Sequence, residues 1–188
     1  KFYYGSSFSW ASGMGGEEND YGYSVAVDGS YNTYVTGSFA GTADFNPDAG
    51  SAYMASMGDD YIFICKLDLV GNYSWAKQIG ELKEDAGTSI AMDASSNVYT
   101  TGYFSGTNVD FDPGSGSAYL SSSGSYDVFF NRLDASGNYS WAKKMGSSSA
   151  NASNSIGIDA SGNVYSAGYF AGTADFDPGT GKYNISSA

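Results

Sequence analysis

Asp159–Gly179 reads DASGNVYSAGYFAGTADFDPG, and nearly the same words occur at Asp93–Gly114 and, more loosely, at Asp28–Asp48. A unit repeated in this way cannot bury its own apolar face, so copies must stack on one another, and function belongs to the assembly rather than to one catalytic constellation. Trp10, Trp75 and Trp141 lie 65 and 66 residues apart, while Pro47, Pro113 and Pro178 lie 66 and 65 apart. The extra residue enters where Gly41-Thr42-Ala43-Asp44-Phe45 becomes Gly106-Thr107-Asn108-Val109-Asp110-Phe111. It sits just ahead of an acidic turn, and a turn tolerates length change as a loop or bulge does. The chain is therefore a single array with landmarks at 10–74, 75–140 and an incomplete 141–188.

Within a copy the sequence predicts four strands. The first is Tyr23–Val27, matched by Ser89–Met92 and Ser155–Ile158, and it ends at an aspartate. Asp93–Asn97 and Asp159–Asn163 then supply Asp, Ser, Gly and Asn where a tight hairpin needs side-chain caps and a positive φ, and the turn reading is favoured over a calcium loop. The second run, Val98–Phe104 or Val164–Phe170, alternates with the period of a strand. Gly37, Gly102 and Gly168 recur in its middle. A glycine inside a strand marks close backbone approach or a bulge. The third run, Tyr61–Asp68 or Asp127–Asp134, is apolar on both faces and belongs inside a layered sheet. The fourth, Asn72–Lys77 or Asn138–Lys143, reads NYSWAK in both copies. Strand alternation there predicts Tyr73 and Trp75, and likewise Tyr139 and Trp141, on one largely buried face.

Composition supports strands over helices. With 17 Tyr, 11 Phe, 3 Trp, 26 Gly and only 3 Pro, the chain favours strands joined by glycine turns, and no run carries the three-and-four apolar spacing of a helix. The net charge of −12 with only 8 Lys and Arg excludes a phosphate-binding surface for nucleic acid or an anionic membrane, and makes cations the natural counter-partner. His is absent and Cys65 stands alone, which removes His-dependent triads, the usual zinc sets and any internal disulfide. Cys65 aligns with Asn131 and reads as an ordinary strand residue. No apolar run is long enough for a membrane span, and no signal peptide is present. Lys1 is in register with Lys66, and Ala188 stops at the position of Ser123, before the third copy reaches the counterpart of Asp127–Leu133. This phase predicts that the residues are part of a longer protein or of a head-to-tail assembly that covers the open edges.

Four antiparallel strands per unit, radially repeated, predict an all-β fold of β-propeller blades, three repeats of about 66 residues each. The unit is long for a blade, and the surplus between the second and third strands, Asp110–Gly124, must form an extra hairpin or rim loop. A stacked β-solenoid is the competing architecture. The pattern DASGNVYxxGYFxGTxDFDPG followed by DxFxxxLDxxGNYSWAK resembles the SBBP-type β-propeller repeat of secreted and cell-surface bacterial proteins, particularly those of the Bacteroidetes. The resemblance covers essentially the whole chain. It implies an extracellular, repeat-built propeller in a large protein, often exported by the type IX route. The first copy departs from it, with Asn46-Pro47-Asp48-Ala49 for DPGS and Asp28-Gly29-Ser30-Tyr31-Asn32 for DASGN.

The candidate site is the acidic turn, formed by Asp44 with Asn46, Asp110 with Asp112, and Asp175 with Asp177. Carboxylates at i and i+2 of an extended segment project to one side, and the following Pro and Gly bend carbonyls toward them, as an oxygen cage for Ca²⁺ requires. The competing reading is structural: one Asp caps the turn while Phe45, Phe111 or Phe176 packs inward. A glycosidase also uses paired carboxylates, but recurrence of the pairs with the structural period argues against a single active site. The run Glu17-Glu18-Asn19-Asp20 matches Glu81–Asp85 and Ser147–Asn151 and reads as a solvated variable loop. The function expected is that of a non-enzymatic structural or adhesive module outside the cell, associating with copies of itself, with the rest of a longer chain, or with a glycan or surface protein. A carbohydrate-binding module in which Tyr and Trp stack on sugars is the alternative.

Overall fold

The computed structural model describes residues 8–81 and 83–187. The first unit contains β1 (Gly15–Gly16), β2 (Asp20–Val27), β3 (Thr33–Phe39), β4 (Thr42–Asp44), β5 (Tyr53–Ala55), β6 (Tyr61–Leu67) and β7 (Tyr73–Ile79). The second contains β8 (Ala86–Met92), β9 (Val98–Phe104), β10 (Val109–Asp110), β11 (Tyr119–Leu120), β12 (Asp127–Leu133) and β13 (Tyr139–Met145). The third contains β14 (Ala152–Ile158), β15 (Val164–Tyr169), β16 (Thr173–Asp175) and β17 (Asn184–Ser186). No helix occurs among the described residues, so the all-β expectation holds. Units 1 and 2 each form a four-stranded antiparallel sheet, in the orders β2-β3-β6-β7 and β8-β9-β12-β13. The expected extra hairpin is β4 with β5 in unit 1 and β10 with β11 in unit 2. In unit 3 only the pair β14-β15 and the hairpin β16-β17 are present. The four-stranded sheets are antiparallel throughout, unlike the rungs of a solenoid, and the sheets do not close into a ring.

Two bulges per complete sheet explain where the side chains point. The first lies in the opening strand: the register shifts between Gly22 and Ser24, Gly87 and Ser89, and Ser153 and Ser155. It sits opposite the recurring mid-strand glycine. A Cβ on Gly37, Gly102 or Gly168 would land on the carbonyl of Tyr21, Ala86 or Ala152, so close backbone approach requires glycine there. The second bulge corrects the same-face expectation. Lys66 faces Trp75 but Leu67 faces Tyr73, which leaves Ser74 as the extra residue; Ser140 is extra in the same way between Tyr139 and Trp141. One added residue inverts alternation. Tyr73 therefore turns to the face of Leu67 and Ala76, while Trp75 turns to the opposite face, against the next unit. All four aromatics are half-buried rather than largely buried.

The core lies between the sheets. Ile62, Ile64, Tyr34 and Trp75 of unit 1 meet Phe104, Phe111, Phe129 and Leu133 of unit 2 in one apolar layer. The other face of unit 1 carries the matching set, Phe39, Phe45, Phe63 and Leu67, and is covered by Trp10 and Met14. The expectation that Lys1–Trp10 ends a unit falls mostly outside the described residues, but Trp10 packs over Gly71 as Trp75 packs over Gly137. Tyr99, Val128, Phe130 and Trp141 of unit 2 face Ile156, Ile158 and Val164 of unit 3 in the second, thinner layer. Burying a Phe or Leu side chain contributes about 1.5–3 kcal/mol, so stacking dominates the stability of each unit.

Candidate functional site

The three acidic turns are built alike. Asp44 Oδ1 accepts the N–H groups of Asn46 (3.0 Å) and Ala52 (2.8 Å). Asp110 Oδ1 accepts those of Asp112 (3.0 Å) and Ala118 (2.7 Å), and Asp175 Oδ1 those of Asp177 (3.1 Å) and Tyr183 (2.8 Å). The second residue of each pair caps a turn of its own: Asn46 accepts from Asp48, Asp112 from Gly114 and Asp177 from Gly179. Donation by Tyr183 and then by Asp177 holds the Asp175 carboxyl below the usual carboxylate range. Phe45 and Phe111 pack inward beneath these carboxylates, and Phe176 is half-buried. Each Oδ1 thus serves to close the hairpin against chain entropy. Among the described residues no group of three or more His, Cys, Asp or Glu is arranged to hold a metal ion. Asp44, Asp110, Asp112, Asp175 and Asp177 are distributed over three separate hairpins.

A second turn recurs five times, after the first and third strands. Asp93 Oδ1 accepts from the backbone N–H of Ser95 (2.8 Å) and Asn97 (3.0 Å), while its Oδ2 accepts from Asn97 Nδ2 (2.7 Å) and the Tyr99 hydroxyl (3.1 Å). Asp28 and Asp159 make the corresponding four bonds, and Asp68 and Asp134 make the three available without the tyrosine. Both oxygens are committed within the turn, as the turn reading of DASGN expected. The Asn163 side chain and then its N–H hold the Asp159 carboxyl below its ordinary range.

The tyrosine links this turn to the sheet junction. Tyr34 donates to Asp28 and meets Trp75 edge-on at 6.0 Å, with Lys66 Nζ 5.1 Å from the Tyr34 ring centroid. Lys66 Nζ and Trp75 Nε1 each donate to the carbonyl of Ala135 in unit 2, both at 3.3 Å. Asp, Tyr, Trp and a cation therefore form a clamp that ends on the next unit. Unit 2 repeats it: Tyr99 meets Trp141 at 6.1 Å and Arg132 lies 5.5 Å from the Tyr99 ring. At the opening strands, Ser24 Oγ accepts the N–H of Ile90 (3.3 Å) and Ser89 Oγ that of Ile156 (3.2 Å), a second bond repeated from unit to unit. Sequence reading missed the clamp. Its signal was Tyr34, Tyr99 and Tyr165 recurring six residues after the turn aspartate, together with the cation shared by Lys66 and Arg132.

One buried carboxylate corrects the expectation of a wholly solvated loop. Glu17, Glu18 and Glu84 are exposed, but Asp85 and its counterpart Asn151 are buried. Asp85 Oδ1 accepts the N–H of Ser105 (2.8 Å), and its Oδ2 that of Glu81 (3.3 Å). Burial nevertheless pushes the carboxyl up to about 7. Asp127, also fully buried, pairs with Lys144 Nζ at 2.6 Å. The same positions in unit 1 hold Tyr61 and Gln78, so neither charge belongs to the repeat itself. Cys65 is buried 3.5 Å from Met14 Sδ, and burial pushes its thiol up to about 12, which leaves it an inert packing group.

Among the described residues the aspartates of the recurrent turns and the clamp side chains close turns or join sheets. No family model matches the chain. The chain is 26% identical over 208 residues to an uncharacterized WD repeat-containing protein of Acanthamoeba polyphaga mimivirus, a match that covers 94% of this chain and 14% of that relative. The chain thus spans a small part of the length of the relative it matches, and the likeness is to a repeat-containing protein.

Proposed function

We propose that the chain is a non-enzymatic segment of a β-propeller, with each unit a blade, and that it serves as a structural and adhesive module of a secreted or cell-surface protein of the SBBP-repeat kind. The recurrent clamp carries this reading. Lys66 and Trp75, packed on Tyr34 and its Asp28 turn, donate to the Ala135 carbonyl of the next unit, and Arg132 and Trp141 hold the same positions beside Tyr99 and its Asp93 turn. A machine of this form gains stability by adding units, as stacked repeats do. The likeness to a WD repeat-containing protein supports blades of four strands, and the repeat resemblance supports an extracellular setting. Its partners are further units of the same kind. Chains carrying two, three or four tandem copies of Gly80–Met145 test the reading, with melting temperature expected to climb with each copy. A single copy as stable as four would overturn it. Proteolytic shaving of intact cells producing the complete protein tests the location, and protection of the segment from added protease would place it inside.

Carbohydrate binding is the second reading. Tyr53 and Tyr119 hold the same repeat position on the extra hairpins and are 69% and 60% exposed, with rings free to stack on sugars. Glycan-array binding abolished by the double substitution Tyr53→Ala and Tyr119→Ala would establish it.

A further inference from the structure

The layer between units 1 and 2 holds two side chains that do not match it. Thr100 and Asn131 sit directly opposite each other on β9 and β12, and both are fully buried. Strand alternation puts them on the face that carries Phe129 and Leu133, which packs against Ile62 and Ile64 of unit 1. Their neighbours across the sheet at the same level are Ile90 on β8 and Ala142 on β13, both part of the same apolar layer. Yet the Thr100 hydroxyl and both ends of the Asn131 amide, Oδ1 and Nδ2, have no hydrogen-bond partner in the protein. Three unpaired polar atoms on two adjacent side chains thus stand inside a closed layer.

Unit 1 shows that the position does not demand polarity. There the pair is Val35 opposite Cys65, flanked by Val25 and Ala76. Cys65 uses its thiol for packing, 3.5 Å from Met14 Sδ and 3.8 Å from the carbonyl of Phe45. Unit 2 puts a hydroxyl and an amide in the same place. A dry amide is costly where a thiol is not, because its two donors and its acceptor leave water without compensation. Packing alone does not account for the pair.

We infer that Thr100 and Asn131 form an internal site for ordered water, built into unit 2 and closed over by unit 1. Direct pairing of the two side chains would satisfy the hydroxyl and only one end of the amide. A water molecule serves both ends: it takes a hydrogen from Nδ2, returns one to Oδ1 and gives its second to the Thr100 hydroxyl. About three polar partners is the usual complement of a buried water. The lining excludes other ligands. A metal ion of the calcium kind needs carboxylates, and no group of three or more His, Cys, Asp or Glu is placed to hold one among the described residues. An organic molecule needs an entrance, and both side chains are closed off from solvent. The site lies between two four-stranded sheets, so its water leaves only when the sheets part. Its residence time therefore reports opening of this junction.

The test compares the 188-residue chain with a double variant, Thr100→Val with Asn131→Cys, which gives unit 2 a thiol and a Val where unit 1 already carries them. Magnetic relaxation dispersion of the solvent counts the waters held inside each protein. The count should fall by one or more in the double variant, with the fold retained by circular dichroism. Equal counts in the two folded proteins overturn the inference. Nuclear Overhauser contacts between water and the Asn131 side-chain amide locate the site in the unmodified chain, and they decide the question alone if the double variant does not fold. The contacts are expected both in that chain and in Thr100→Val, where no hydroxyl remains to relay the signal. Their absence from the unmodified chain overturns the inference, as does their complete loss in a folded Thr100→Val. A crystal structure with Asn131 bonded directly to Thr100 and no density beside them would overturn it as well.

Discussion

The two sheet junctions share their vocabulary and differ in completeness. Tyr34, Tyr99 and Tyr165 each donate to the aspartate of the same turn at 3.1, 3.1 and 3.2 Å. Yet they are 0%, 4% and 61% exposed. Local sequence closes the turn identically in all three, while burial is conferred by the strands that lie over it. Strands of unit 2 lie over Tyr34 and strands of unit 3 over Tyr99, and the Phe-rich layer between units 1 and 2 is sealed. Between units 2 and 3 the same half-layer faces a cavity. Turn chemistry in this protein is local, and core formation belongs to neighbouring units.

The strongest way to break that comparison is to delete the same ring on each side. Phe111 is fully buried between Phe104 and Phe129, whereas Phe176 meets Phe170 alone. Phe111→Ala should cost about 3–5 kcal/mol in urea denaturation, since it leaves a cavity enclosed on all sides. Phe176→Ala should cost about 1 kcal/mol, because its pocket is already open. Equal losses would show that the second junction is sealed in solution.

Much of this architecture was legible. Period-two alternation and recurrent turns located strands such as Val98–Phe104, which coincides with β9, and the length surplus located the hairpin β10-β11. What alternation missed was the bulge. NYSWAK carries no glycine or proline to mark Ser74 or Ser140 as extra residues, and the shift appears only in the pairing with Leu67 and Leu133. Burial within the loops was equally hidden. Asp85 sits in an acidic run that reads as solvated, and only the folded backbone brings the N–H groups of Glu81 and Ser105 onto its two oxygens. The acidic turns were found as a repeated motif. Their oxygens could not be assigned to turn closure until the partners eight residues away, Ala52, Ala118 and Tyr183, were in place.

Asp85 sharpens the comparison at the next level of energy. Its counterpart at the second junction is Asn151, whose Oδ1 accepts the N–H of Ala171 as Asp85 Oδ1 accepts that of Ser105. Desolvation raises the Asp85 carboxyl from 3.8 to about 7, outweighing the N–H donors, with Glu81 and Glu84 adding repulsion. Between pH about 4 and 7 the unfolded carboxyl is ionised while the folded one is neutral, so unfolding releases a proton. Stability should therefore fall as pH rises through this window, by up to about 1.4 kcal/mol per unit, and level off above it. Asp85→Asn should flatten that slope and stabilise the chain by about 2 kcal/mol at pH 8. Denaturation midpoints from pH 4 to 8 for both proteins provide the check, and a slope unchanged by the substitution would assign the pH dependence to another group.

The smallest expected effect tests whether turn chemistry is as local as the three tyrosines indicate. The fourth residue of the turn is left-handed in both copies, but it is Ser96 at φ 61° in unit 2 and Gly162 at φ 81° in unit 3. A side chain in this region costs about 1–2 kcal/mol, partly offset because glycine loses more chain entropy on folding. Ser96→Gly should therefore stabilise by about 0.5–1 kcal/mol. Gly162→Ser should destabilise by a similar amount, and space is not the obstacle, since a Cβ on Gly162 meets nothing within 4 Å. Because the turn bonds of Asp93 and Asp159 are alike, the two effects should match in size although Tyr99, held by the first turn, is buried and Tyr165, held by the second, is exposed. Thermal melts of the two single variants measure both. Opposite and equal shifts would establish that turn energetics are independent of stacking, whereas a much smaller shift at Gly162 would mean that the third unit unfolds separately from the rest.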